Sequence, residues 1–400
     1  MKRAPSTEQI HHPYQAPEGY AAIPTGVFKA STILFKDCAE MRRPVARDEG
    51  YIYGLHATPT SFTLMARVAT LEGGKHCLLA PSGLAAITTI NFGLLRPGDE
   101  VLIPDNVYGQ NRVFSEGLME DFGVTHRVYD PLDAAAFAAM LTPATKLVWI
   151  EAAGSITMEY PDLLGLVRAC REKGVLVALD NTWGSGLAFN PFDLGQGLAV
   201  DVSMNALTKY PSGGADVLMG SIVTADHALH KRISHAHRQL GVGVGMNDVE
   251  LVLRGLPSTE LRYHAQDRTT RALAEWMATR PEIARVLHPA LPGSPGHQFW
   301  AETCAAAGCL FSVVFKAHYT QDQVDAFVDA MQLFGIGYSW AGPMSLAVPY
   351  DMTHSRNLAL PYTGGCLVRF AIGLEAEADL RQDIDAALKV FAAPSRLMPE

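Results

Sequence analysis

From about residue 60 the chain alternates short, continuously apolar runs with stretches whose apolar residues recur at helical spacing. The runs fall at 77–80, 101–103, 147–150, 175–179 and 217–223. Strands that are apolar throughout, rather than at every second residue, belong to a sheet covered on both faces. Helical stretches between them, such as Leu163–Lys173, supply those covers and the crossovers that parallel strands need. The pattern predicts an α/β fold with a mostly parallel central sheet. In such sheets ligands bind at the carboxyl ends of the strands.

After about residue 255 the rhythm changes. A charged helical stretch over 257–280 leads to a strand over 310–315, a helix over 321–333, a strand over 367–372 and a terminal helix from Ala376. This reads as a smaller C-terminal α+β domain. The first 50 or so residues are proline-rich and weakly periodic, which predicts an extended arm. The expected division is an arm over 1–57, a ligand-binding domain over 58–253 and a C-terminal domain over 254–400. A length of 400 residues suits one large and one smaller domain.

Composition narrows the function classes. The net charge of −9 and the lack of a basic stripe argue against nucleic acid as a partner. No uninterrupted apolar run reaches about 18 residues, so no membrane span is expected. Six scattered cysteines without a CxxC pair, and an N-terminus without the apolar run of a signal peptide, predict reduced thiols and a cytoplasmic protein.

Three features sit where an α/β ligand site belongs. The first is the strand–turn–helix Leu79-Ala80-Pro81-Ser82-Gly83-Leu84-Ala85-Ala86. Glycine permits close backbone approach, and the free N–H groups of a helix start favour a phosphate, although such turns are common in these folds. The second is Asp180, which ends an apolar strand and is followed by Asn181-Thr182-Trp183. A carboxylate there is costly to desolvate unless it is paired; a helix N-cap is the simpler explanation. The third is Lys209, in Ser203-Met204-Asn205-Ala206-Leu207-Thr208-Lys209-Tyr210. Alone it could snorkel to solvent. A Gly turn, an Asp and a Lys on successive strand ends together shift the balance from these simpler explanations towards a ligand site, with a protonated pyridine nitrogen as the partner that would justify Asp180.

Those motifs, with Leu71-Glu72-Gly73-Gly74, Gly154-Ser155-Ile156-Thr157-Met158-Glu159, His288-Pro289-Ala290-Leu291-Pro292-Gly293-Ser294 and Tyr338-Ser339-Trp340, resemble the Cys/Met-metabolism family of pyridoxal-phosphate enzymes. The resemblance runs from about Tyr51 to the last helix and is nearest to members that cut a thioether on its Cβ side. It implies a fold type I, transferase-like architecture with pyridoxal 5'-phosphate held covalently by Lys209. By the same resemblance Asp180 holds the pyridine nitrogen and Tyr108 stacks on the ring. Gly83, Leu84 and Thr208 bind the phosphate, with Tyr53 reaching it from a neighbouring subunit. Arg369 clamps the substrate α-carboxylate, while Ser339, Trp340 and Tyr338 shape the rest of the substrate pocket. Lys209, Tyr108 and Tyr53 are the implied catalytic residues, and no metal is expected.

The implied reaction is α,β-elimination, converting L-cystathionine to homocysteine, pyruvate and ammonia in a homotetramer built as a dimer of dimers. A γ-cleaving relative, or a regulatory protein that binds the cofactor on this fold, is the alternative. Three positions depart from the family pattern. Leu55 stands where an arginine is usual, with His56 next to it as a partial replacement; Ala206 replaces a serine, and Ser155 an asparagine. Two further signals point elsewhere. His227, His230, His235 and His237 crowd together, but Lys231, Arg232 and Arg238 oppose a cation, so a solvated helix is expected. Gly241-Val242-Gly243-Val244-Gly245 lacks the setting of a dinucleotide fingerprint and is expected to be a flexible loop near the site entrance.

Overall fold

The computed structural model of the chain describes residues 3–14, 16, 18–43, 50–352, 356–360, 362 and 364–392. Parts of the expected arm, 44–49 among them, and the final stretch 393–400 lie outside the described residues. Seven strands form one sheet: β1 (His76–Ala80), β2 (Glu100–Pro104), β3 (Thr125–Tyr129), β4 (Thr145–Glu151), β5 (Leu176–Asp180), β6 (Val202–Asn205) and β7 (Gly220–Thr224). Their spatial order is β1-β7-β6-β5-β4-β2-β3. Strands β2 to β6 run parallel, and β7 lies antiparallel to β1 and β6. Strands β8 (Ile283–Leu287), β9 (Leu310–Phe315), β10 (Leu346–Tyr350) and β11 (Leu367–Ala371) form a second, antiparallel sheet in the order β10-β11-β9-β8.

The helices of the first half are α1 (Pro5–Ile10), α2 (Cys38–Arg42), α3 (Pro59–Glu72), α4 (Gly83–Leu94), α5 (Gly109–Glu116), α6 (Leu118–Asp121), α7 (Ala134–Met140) and α8 (Leu163–Lys173). Those of the second half are α9 (His227–Gln239), α10 (Met246–Gly255), α11 (Thr259–Met277), α12 (His297–Thr303), α13 (Gln321–Ala330) and α14 (Glu377–Leu388). Local chemistry sets their ends. Thr58 and Ser61 form a capping box at the start of α3, with Pro59 at its first position. The helix stops at Gly73, φ 79°, where a Cβ would lie 2.5 Å from the Asn190 side chain.

The strands bury both faces. Leu102, Val148, Ile150, Val177 and Leu179 pack with Leu163, Leu166 and Val167 of α8. The alternate residues Val101, Ile103, Leu147 and Trp149 pack with Ile87, Ile90 and Leu94 of α4 and Ile233 of α9. The parallel sheet thus has the two covers that its unbroken apolar runs require. In the second sheet Val368 and Phe370 point to α13 and α14, while Leu367 and Ala371 join the cluster of the large sheet.

Several expectations need correction. Strands β3 and β6 were not signalled by apolar runs, and the strand expected at 217–223 begins at Gly220 and runs antiparallel. The arm is not wholly extended: α1 docks, with Gln9 buried and its side-chain amide donating to the Arg67 carbonyl at 3.1 Å. The histidine-rich helix α9 is not solvated all round, because His230 and His237 are buried and His230 stacks on His76 with centroids 4.7 Å apart. The Gly241–Gly245 segment packs onto the arm, since a Cβ on Gly243 would meet Leu55 at 2.4 Å. Among the described residues no helix is long and apolar enough to cross a membrane.

Candidate active site

The carboxyl ends of β4, β5 and β6 carry the candidate site. Asp180 ends β5, buried, and accepts the Thr182 N–H at 3.0 Å. Burial pushes its carboxyl up, while the hydrogen bonds from Thr182 and the charge of Lys209 pull it down. The chain leaves β6 through Ala206, whose N–H donates to Thr182 Oγ1 at 2.9 Å, and turns to Lys209. Burial lowers the Lys209 ammonium from the ordinary 10.5 to about 8, with Arg369 acting in the same direction. Its Nζ donates to Ser339 Oγ at 2.9 Å and lies 5.2 Å from the centre of the Trp340 ring. A lysine held this way presents a substantial neutral fraction near pH 7–8, which nucleophilic attack on a carbonyl requires.

The turn after β1 begins α4. Ser82 Oγ accepts the Ala85 N–H at 3.0 Å, and the Ser82 carbonyl accepts the Ala86 N–H at 3.1 Å. This leaves the N–H groups of Gly83 and Leu84 as the first two of the helix, for which a helix has no internal acceptor. A Cβ on Gly83 would lie 3.1 Å from the Ala206 Cβ, so the turn abuts the loop that carries Lys209. Thr208 is committed differently from expectation: its hydroxyl donates to the Met219 carbonyl at 3.2 Å and accepts the Met219 N–H at 3.0 Å. A bond from Thr208 to a phosphate requires exchange of the first of these.

Tyr108 precedes α5 and is 43% exposed. Its phenol is pushed up by burial and by the charges of Asp180 and Glu151, which places it beside the same two carboxylates. Glu151, which the sequence reading passed over, ends β4 directly opposite Asp180. Its carboxylate accepts the Tyr108 N–H at 2.6 Å and the Ser155 N–H at 3.3 Å, and so holds two site loops from beneath. Burial and Asp180 push its carboxyl well up. The signal was available, since Glu151 closes an apolar run as Asp180 does.

Arg369 lies on β11, only 3% exposed. Its Nη1 donates to the Ser155 carbonyl at 3.1 Å, and its Nη2 to the Tyr338 and Ser339 carbonyls at 3.0 and 3.4 Å. The Tyr350 ring, also missed, lies 5.2 Å from the guanidinium. Tyr338 is 79% exposed, with its ring centroid 6.1 Å from that of Tyr350. Trp340 is buried against Tyr210. The fold therefore brings together Lys209, Asp180, Tyr108, Ser339, Trp340 and Arg369. Tyr53 and His56 belong to the arm: Tyr53 is exposed and bridges to Thr32, and His56 lines a groove with His76, His230 and His237.

The donor set fits pyridoxal phosphate. A buried carboxylate suits a cationic ring nitrogen, two helix-start N–H groups suit a phosphate, and an amine of lowered pKa suits the aldehyde. The buried Arg369 Nε has no hydrogen-bond partner among the described residues, so the guanidinium keeps donor capacity for an anion.

Known proteins agree with this architecture. The chain is 37% identical, over 92% of its length and 91% of the relative's, to a putative cystathionine beta-lyase of Rhizobium johnstonii. It is 34% identical to the cystathionine beta-lyase of Bordetella avium, over 94% of both chains. Among solved structures, cystathionine gamma synthase from Xanthomonas oryzae pv. oryzae, in complex with aminoacrylate and cysteine, superposes with a TM-score of 0.88. The two share 26% identity, over 98% of this chain and 99% of that one. Over residues 6–389 the match is to the Cys/Met metabolism PLP-dependent enzymes, and the chain belongs to that family.

Proposed function

We propose that the chain is a carbon–sulfur lyase that cleaves L-cystathionine by α,β-elimination to homocysteine, pyruvate and ammonia, with uptake of water. The observation that carries this reading is Lys209, a buried lysine of lowered pKa between Asp180 and Arg369 in a chain whose curated relatives include cystathionine beta-lyases. Lys209 would hold pyridoxal phosphate, with Asp180 at its ring nitrogen, Tyr108 against its ring, and Gly83, Leu84 and Thr208 at its phosphate. Bound there, the cofactor supplies an electron sink for the charge left when a proton departs the substrate Cα.

The chain supplies the rest. Arg369 holds the α-carboxylate, and its planar fork fixes the Cα–H direction. Lys209 Nζ, once released, takes the Cα proton; burial keeps that amine basic yet neutral enough to act near pH 8. Ser339 Oγ, 2.9 Å from Nζ, steers the amine. Trp340 and Tyr338 shape the distal pocket for the thioether, and water is kept from Nζ on the Trp340 side. The leaving sulfur departs as a thiolate and takes up a proton.

The same reading divides the chain into an arm (1–57), a cofactor domain (58–253) and a C-terminal domain (254–400), in a cytoplasmic homotetramer arranged as a dimer of dimers. The exposed apolar residues Ile23, Leu34, Tyr51 and Tyr53 of the arm support a neighbouring copy as their cover. Tyr53 and His56 then act at the phosphate of that copy. A γ-cleaving activity is the second reading, supported by 33% identity, over 86% of both chains, to the cystathionine gamma-lyase of Rattus norvegicus. Product analysis after incubation with L-cystathionine separates the two. Pyruvate with homocysteine is expected; 2-oxobutyrate with cysteine would establish γ-cleavage, and cofactor binding without turnover a regulatory role.

A further inference from the structure

Arg356 lies between β10 and β11, far in sequence from Asp105, Thr157 and Glu159, to which its side chain bonds, and that side chain is only 6% exposed. Its Nε donates to Asp105 Oδ2. Its Nη1 donates to Thr157 Oγ1 at 3.1 Å and Glu159 Oε2 at 3.2 Å, and its Nη2 to Glu159 Oε1 at 3.0 Å. The side chains of both carboxylates are buried. Asp105 also accepts the Asn357 N–H at 2.8 Å and Arg112 Nη2 at 3.1 Å, so two guanidiniums meet at Asp105, and Arg112 also lies 3.5 Å from Glu116.

The placement of these partners gives the cluster its meaning. Asp105 follows β2 and stands three residues before Tyr108. Glu159 stands four residues after Ser155, whose carbonyl accepts Arg369 Nη1. The Asn106 side-chain amide joins the two loops by donating to the Glu159 carbonyl at 3.4 Å. From beneath, Glu151 grips the same loops at the N–H groups of Tyr108 and Ser155. From outside, Arg356 ties both to the lobe that carries Arg369.

We infer that Arg356 is a positioning residue of the lyase reaction: it locks the Tyr108 loop, the Ser155 turn and the Arg369 lobe into one body. In doing so it sets the spacing between the ring-stacking tyrosine and the carboxylate clamp. The inference rests on the roles proposed above for Tyr108 and Arg369. Buried ion pairs add little stability compared with apolar packing of the same volume, so a tie of this kind acts chiefly by fixing geometry. Lysine cannot replace it, because one ammonium does not span Asp105, Thr157 and Glu159 as a planar guanidinium does.

The test compares holoenzymes of wild type, Arg356→Lys, Glu159→Gln and the milder Thr157→Val. KM and kcat for L-cystathionine, the visible circular dichroism of the bound cofactor, and the thermal midpoint are measured for each. Arg356→Lys is expected to raise KM about tenfold, to change kcat by less than about threefold and to diminish the visible dichroism, which reports the tilt of the ring. Glu159→Gln should act in the same direction, and the double variant by less than the product of the two. Thr157→Val, which keeps volume but removes the hydroxyl that accepts from Arg356 and donates to Glu159, leaves the Arg356–Glu159 and Arg356–Asp105 bonds in place and should show a smaller version of the same pattern. A lowered thermal midpoint with KM and visible dichroism unchanged, in whichever of these variants fold, would reduce Arg356 to a structural role and overturn the inference. If wild type bound the cofactor but cleaved no thioether, the proposed activity would fall, while the dichroism comparison would still decide the positioning role.

Discussion

The two sheets bury charge of opposite sign and in different ways. The seven-stranded sheet keeps carboxylates, Glu151 and Asp180, at the last residues of β4 and β5. The four-stranded sheet keeps a cation, Arg369, in the middle of β11, paired in register with Ser312 and Val348. A parallel sheet covered by helices on both faces has room for a charge only where its strands run out. An antiparallel sheet with alternating faces can aim every second residue away from its own core. Val368 and Phe370 fill the small lobe while Arg369, between them, turns to the large one. The difference matches the division of labour proposed here: the Asp180 carboxylate for a cationic cofactor nitrogen, and an arginine for the substrate anion.

Removing the charge from either sheet tests that division. Asp180→Asn should lower kcat by roughly a hundredfold or more, since it removes the fixed charge that stabilises the protonated ring nitrogen in the transition state. Steady-state kinetics on L-cystathionine would show it, and a near-normal kcat would remove Asp180 from its role. Arg369→Lys should act mainly on KM, raising it about tenfold to a hundredfold. The change loses one charge-assisted hydrogen bond of the pair, and the looser hold on the Cα–H direction lowers kcat by a smaller factor. A fall in kcat with KM unchanged would instead place Arg369 in the chemical step.

Lys209 links the two sheets, and its lowered pKa makes a pH prediction. Only the neutral amine attacks an aldehyde, so capture of cofactor by the cofactor-free protein should speed up as pH rises and level off above about 8. Stopped-flow absorbance measures this. A rise that continued towards 10.5, the ordinary lysine value, would mean that burial does not lower this amine.

The smallest effect concerns Glu72, which lies buried behind the carboxylate row and accepts from the Asn205 side-chain amide at 3.0 Å. Burial pushes its carboxyl from 4.5 up to about 7. The folded state therefore binds more protons than the unfolded one between these values, and stability falls as pH rises through that window. Glu72→Gln should add roughly 1–3 kcal/mol at pH 8 and much less at pH 5. Thermal melts at the two values check the sign. Equal gains at both would mean that the carboxylate is not the source of the strain.

Much of this was legible in the sequence for physical reasons. A charged residue at the end of an apolar run stands out, and Asp180 stood out in that way; Lys209 stood out through the motif around it and its spacing from Asp180 and the Gly83 turn. Glu151 carries the same signature as Asp180 and was missed because the motif beside it begins only at Gly154, three residues further on. Strand β6 was illegible because half of it is polar: Ser203 and Asn205 are buried, and Asn205 bonds to Glu72, 133 residues away. Arg356 was illegible altogether. Its partners Glu159 and Asp105 are 197 and 251 residues distant, and nothing local marks it as buried. Helix α1 was hidden by the prolines around it, and docks through Gln9 and the Ser6 N–H, which donates to Glu260 at 2.6 Å.

The central claim is that Lys209 carries the cofactor. Borohydride reduction of the yellow holoenzyme fixes the cofactor irreversibly to whichever amine holds it, and peptide mass mapping then locates it. The cofactor mass is predicted on the peptide that contains Lys209, and Lys209→Ala should lose both the modification and the yellow absorbance. A modified lysine elsewhere, or a yellow band that survives in Lys209→Ala, would contradict it.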